Sequence, residues 1–107
     1  MPTVHVEDKD DLMSKLEEAG SMLVVVDFYA TWCGPCKMIS PIVEKMSKDY
    51  KNVVLFLKVD VEECEDLAAE YQVTSMPTFV FYKDMEKLEV FAGAKEARLK
   101  ELVEKYK

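Results

Sequence analysis

Apolar positions along the chain switch between a period near four and a period of two or less, and the switching predicts its elements. Residues 3–7 (TVHVE) form a short strand with Val4 and Val6 on one face. Asp8 and Asp10 offer N-caps to a helix whose Leu12, Leu16 and Ala19 fall near helical spacing, and Gly20 ends it. Residues 22–30 (MLVVVDFYA) are a nearly unbroken run of β-branched and aromatic side chains, the mark of a strand covered on both faces. Residues 34–50 return to helical spacing, with Met38, Ile42, Val43 and Met46 inward. A second buried strand spans 53–60, and a short helix follows over 62–71, its first turn acidic where the helix dipole favours negative charge. Strands at 78–83 and 88–92 lie close enough to form a hairpin. Leu99, Leu102, Val103 and Tyr106 then make the apolar stripe of a last helix. The order βαβαβαββα implies the α/β class: a central mixed five-stranded sheet flanked by four helices, one domain over residues 1–107.

Composition narrows the functional classes. A net charge of −7, with no basic stripe, sets the chain against nucleic acid and anionic membrane. No apolar run is long enough to span a bilayer, and the acidic start MPTVHVEDKDDL lacks the pattern of a secretory signal. The expectation is a reducing, cytoplasmic setting with nuclear entry open. There a pair of cysteines is catalytic or metal-binding more often than a permanent crosslink. The count of three cysteines also fits a disulfide framework poorly.

The candidate chemistry lies in ATWCGPCK, residues 30–37. A strand that ends near Ala30 and a helix that starts near Gly34 put Cys33 at the helix N-terminus and Cys36 one turn on, within reach of one disulfide. Unpaired backbone N–H groups and the positive end of the dipole favour a thiolate at Cys33, making it the nucleophile. Cys36, inside the first turn, is expected to be the more buried and to act as the resolving thiol. Pro35 supplies a helical φ where no hydrogen bond is lost. A zinc site needs four ligands, and one CxxC with the distant Cys64 and His5 supplies no second pair. A structural disulfide across three positions closes too small a loop to stabilise much. A redox pair uses the position of both sulfurs.

The segments VDFYATWCGPCKMISP, KVDVEE, SMPTFVFYK and FAGA, in this order and spacing, resemble the thioredoxin family over essentially the whole chain, and MIS and EECEDLA resemble its animal cytosolic branch. The resemblance implies the thioredoxin fold and a protein-disulfide reductase, a dithiol electron carrier cycling through a Cys33–Cys36 disulfide. Asp27, in the middle of the apolar strand, matches a buried carboxyl that moves the proton of the resolving thiol. Burial of an unpaired carboxylate costs several kcal/mol, roughly, so its pKa is expected to rise. Lys58 matches a lysine that approaches this aspartate and supports it; an exposed strand lysine is the alternative. Pro77 matches a cis proline that frees the Met76 backbone to pair with an extended substrate. Trp32, Gly34, Pro35, Ser75, Met76, Pro77, Ala92, Gly93 and Ala94 match a flat patch for protein substrates. The family binds no cofactor or metal itself: NADPH-dependent thioredoxin reductase re-reduces it, and its clients are disulfide-containing proteins of the peroxiredoxin or reductase type. A monomer is expected, with a weak dimer through the apolar patch as the alternative.

Cys64 reads as a semi-buried bystander, and Pro41 as a structural kink in the second helix. Two departures from the family pattern stand out. Met85 occupies a hairpin turn where glycine is comfortable, and Tyr29 stands where many members carry Trp or Phe. Two rival functions share the same residues. A disulfide isomerase or oxidase is disfavoured by Gly-Pro between the cysteines, and a redox-dependent binding module centred on Trp32 is compatible with the reductase reading.

Overall fold

The computed structural model describes residues 3–107. Strands β1 (Val4–His5), β2 (Leu23–Tyr29), β3 (Val54–Asp60), β4 (Thr78–Lys83) and β5 (Glu86–Ala92) form one sheet in the order β1-β3-β2-β4-β5. Both β1 and β2 run parallel to β3, whereas β4 is antiparallel to β2 and β5 to β4. Helices α1 (Lys9–Ala19), α2 (Gly34–Asp49), α3 (Glu65–Glu70) and α4 (Glu96–Tyr106) complete the order expected from the sequence.

The apolar run of β2 makes it a central strand with helices on both sides. Side chains alternate across a strand, so Val24, Val26 and Phe28 pack with Leu12, Leu16 and Leu67 from α1 and α3. Leu23 and Val25 face the other way, into Ile39 and Val43 of α2 and Leu99, Leu102 and Val103 of α4. Asp27 belongs by alternation to this second, α2-covered face. That placement fixes the chemistry described below.

Helix α1 starts where Asp8 accepts from the Asp11 N–H at 2.8 Å. In α2 the inward stripe is Cys36, Ile39, Val43 and Met46. Met38, expected inward, is 74 % exposed instead. The phase is set by Cys36, and the i+3 position from it is Ile39. The helix runs unbroken through Pro41. Element ends differ from expectation where side chains decide: β3 begins at Val54 because Val53 is exposed, and β5 extends back to Glu86. Helix α3 is shorter than expected, Glu65–Glu70, with Cys64 at its N-cap.

The β4–β5 turn places both Asp84 and Met85 at positive φ, 53° and 66°. This is the conformation of the tight hairpin turn that matches strand twist, and the Asp84 N–H anchors it by donating to the Gly20 carbonyl at 3.1 Å. Aspartate tolerates the left-handed region, whereas a long side chain there crowds its own carbonyl. Met85→Gly is therefore expected to raise stability by about 0.5–1 kcal/mol. The check is urea unfolding: a higher midpoint at unchanged slope supports the assignment, and an unchanged or lower midpoint contradicts it.

Candidate active site

The site is built where β2 hands the chain to α2. The Cys33 N–H donates to the Ala30 carbonyl at 3.2 Å, closing a turn that leaves Cys33 in extended geometry as the N-cap of α2. The Cys36 N–H then donates to Cys33 Sγ at 3.1 Å, and the Lys37 N–H to the Cys33 carbonyl at 3.1 Å. The sulfur occupies the place an oxygen takes in an ordinary N-cap, and the same donor that caps the helix stabilises negative charge on it. Cys33 and Cys36 are joined as a disulfide, with their Cα atoms 5.2 Å apart. The expectation that Cys36 is the more buried does not hold: the two residues are 5 % and 6 % exposed. Gly34 and Pro35, by contrast, are exposed between them, and Trp32 beside them is 64 % exposed.

The segment at Met76 reaches Cys33 directly, and the Gly93 loop is joined to that segment. Cys33 Sγ lies 3.5 Å from the Met76 carbonyl, a contact in the disulfide and a hydrogen bond once Sγ carries a proton. The Met76–Pro77 peptide bond is cis. The Thr78 hydroxyl donates to the Ser75 carbonyl at 2.6 Å, and the Gly93 N–H donates to the Pro77 carbonyl at 2.8 Å. Gly93 makes that approach at φ 107°, a conformation that disfavours any side chain. The residues named for the apolar patch are thus tied together, with Trp32, Gly34, Pro35, Ser75 and Ala92 exposed and Met76, Gly93 and Ala94 half-buried. Pro77 is the exception. It is buried, so it shapes the patch from beneath rather than forming its surface.

Asp27 is buried on the α2-covered face, and its Oδ1 has no hydrogen-bond partner among the described residues. Burial pushes its carboxyl up to about 7, with the Lys58 charge opposing the rise and Glu44 adding to it. Lys58 stands opposite Asp27 in the β2–β3 register. Its ammonium, however, sits over the Tyr29 ring, 4.4 Å from the centroid. Cys64 is more buried than its semi-buried reading, its Sγ 3.4 Å from the Glu7 carbonyl. Burial first, then the nearby Glu63 and Asp60, raise its thiol pKa, which disfavours the thiolate there.

The sequence pattern misses two contributions: it places Met38 inward, and it does not single out Glu44. Met38 follows Pro35 by one helical turn and is exposed, adding apolar surface on the solvent side of α2. Glu44, adjacent to the buried Val43, is half-buried, accepts from the Thr3 hydroxyl at 2.6 Å and adds its charge to the field at Asp27. The phase of α2, read from Cys36 inward, was the available signal for both.

A family model described as thioredoxin matches residues 3–105. The chain belongs to the thioredoxin family. It is 52 % identical over 95 residues to thioredoxin from Equus caballus, covering 89 % of this chain and 90 % of that one. Thioredoxin from Ictalurus punctatus is 49 % identical over 106 residues, 97 % and 98 % of the two chains. The X-ray structure of Fasciola hepatica thioredoxin superposes with a TM-score of 0.95 at 44 % identity, covering 98 % of this chain and all of that one. With the Cys33–Cys36 pair in place, the protein is a thiol–disulfide oxidoreductase acting as a dithiol–disulfide reductase. Disulfide-containing proteins and a thioredoxin reductase are the kinds of partner this family implies.

The buried carboxyl makes stability depend on pH with a definite sign. Asp27 holds its proton up to about pH 7 in the folded protein, against 3.8 for the free side chain. Between those values the folded state binds one more proton than the unfolded state, so stability falls as pH rises through the window and levels off above it. Asp27→Asn has no charge to bury. The oxidised variant is expected to gain on the order of 3–4 kcal/mol over the parent at pH 8 and almost nothing at pH 3.5. Unfolding curves at several pH values provide the check, and a difference that does not vary with pH contradicts the assignment.

Proposed function

We propose that Cys33 is the attacking thiol, Cys36 the resolving thiol and Asp27 the group that takes the Cys36 proton. The Cys33 thiolate attacks one sulfur of a target disulfide, forming a mixed disulfide and expelling the other target sulfur as a thiolate. Cys36, deprotonated with the help of Asp27 through an intervening water, attacks Cys33 Sγ and closes the internal disulfide. The second target sulfur leaves as a thiolate, so two electrons pass from this chain to the target. The observation that carries the assignment is the Cys36 N–H aimed at Cys33 Sγ at 3.1 Å. That donor stabilises charge on Cys33, and among the described residues no equivalent contact serves Cys36.

Trp32, Gly34, Pro35, Ser75, Met76, Ala92, Gly93 and Ala94 form the face on which the target lies, with Pro77 beneath it. The target segment runs extended against the Met76 backbone, the carbonyl of which already lies 3.5 Å from Cys33 Sγ. Lys58 supports Asp27 by its charge. Electrons return from NADPH through thioredoxin reductase, and the chain itself holds no cofactor. Its clients are peroxiredoxin- and reductase-type proteins, met by a monomer in the cytoplasm, where reductase keeps the pair reduced.

The test is reduction of a disulfide-linked protein by this chain with thioredoxin reductase and NADPH. Cys33→Ser is expected to drop to background. Cys36→Ser is expected to complete the first attack only and accumulate mixed disulfides that dithiothreitol dissolves. Full turnover by Cys33→Ser sinks the assignment. A midpoint potential above about −200 mV belongs to isomerases and oxidants instead.

A further inference from the structure

Asp27, Tyr29 and Lys58 share one sheet face. Tyr29 follows Asp27 by two residues along β2, and Lys58 stands opposite Asp27 in the parallel β2–β3 register. The lysine stem thus reaches two sites that attract a cation, the buried carboxyl and the face of the aromatic ring. It takes the ring, with Nζ 4.4 Å from the Tyr29 centroid, and among the described residues Lys58 and Asp27 form no ion pair. The ring is held in place. It packs on Ala30, Cys33 and Cys36 with Val61 and Met76, and His5 from β1 meets it edge-on, with centroids 6.3 Å apart.

We propose that Tyr29 is a positioning residue: its ring holds the Lys58 ammonium away from Asp27 and so leaves the carboxyl unpaired on the face that the active-site helix covers. A cation over an aromatic face is stabilised by the ring quadrupole, more so when partly desolvated. Lys58 and Tyr29 are both half-buried, which places the contact in that regime. Without the ring, Asp27 Oδ1 is open to the ammonium: it stands opposite Lys58 in the register and has no hydrogen-bond partner among the described residues. A direct pair there would favour the ionised carboxylate and remove its capacity to receive a proton near neutrality. The other charged or titratable groups on this region are Glu44 from α2, which acts on Asp27; Asp60 at the end of β3, with Glu63 and Cys64 beyond it, which act on Tyr29; and His5 on β1. Glu44, Asp60 and Glu63 add negative charge, and of these groups only the His5 imidazole can become a cation.

This deepens the reading of Asp27 as proton acceptor and rests on it, yet its test reads the carboxyl itself rather than turnover. The Asp27 carboxyl carbon is followed by NMR through a pH titration of the oxidised full chain. Tyr29→Leu, which keeps bulk and loses the quadrupole, is expected to lower the Asp27 midpoint by about one pH unit. Tyr29→Phe, which keeps the ring, is expected to leave it in place. In a Lys58→Met background Tyr29→Leu is expected to cause no shift, since the effect passes through the ammonium. A shift that persists without Lys58, or a Phe variant that behaves like Leu, overturns the proposal. In the parent protein, the Lys58 side-chain methylene protons are expected upfield of ordinary lysine values because they lie over the ring. Ordinary shifts there refute the contact without any variant.

Discussion

The hydrogen bond from the Cys36 N–H to the Cys33 sulfur is the contact around which the site is built, and it exists because of how a strand ends. A helix begins with backbone donors that have no partner inside it. Here β2 stops at Tyr29, a tight turn returns the Cys33 N–H to the Ala30 carbonyl, and the N-cap position falls on a sulfur. Every later feature of the site is arranged around that point. The segment carrying the cis peptide bond brings the Met76 carbonyl to the same sulfur, and the Gly93 loop is tied to that segment through the Pro77 carbonyl. Rigid elements thus hold a small reactive surface that is mostly backbone and apolar side chain.

The second constraint is a carboxyl placed where the sheet is driest. In β2, flanked by strands on both edges and helices on both faces, a charge is expensive to bury. Asp27 responds by holding its proton to about pH 7. That value lies near the working pH, where a general base both accepts and releases a proton readily. The protein is therefore less stable at neutral pH than a neutral side chain would make it. Glu44 and Lys58 adjust the balance from opposite directions.

Much of this was legible in the chain. The unbroken apolar run of β2 announced a strand covered twice, and an aspartate inside it could only be buried. The WCGPC spacing located the N-cap sulfur because strand and helix signals flanked it closely. What sequence did not carry were matters of phase and of exposure. Met38 and Ile39 are both apolar neighbours, and only the position of Cys36 against the core decides which of them turns inward. Pro77 looked like patch surface, but its ring is covered by the segments that meet there. The relation of Lys58 to Asp27 was visible as strand pairing, whereas the choice of the ammonium between carboxylate and ring depends on side-chain geometry that no periodicity encodes.

The two rims of the sheet are poorly suited to recruiting foreign strands. One rim, β1, is two residues long, and the other, β5, carries Glu86, Lys87 and Glu89 along its length. Short or charged rims discourage the lateral growth by which exposed strands polymerise. Both rims of the sheet are thus guarded against lateral pairing when the molecule meets other chains.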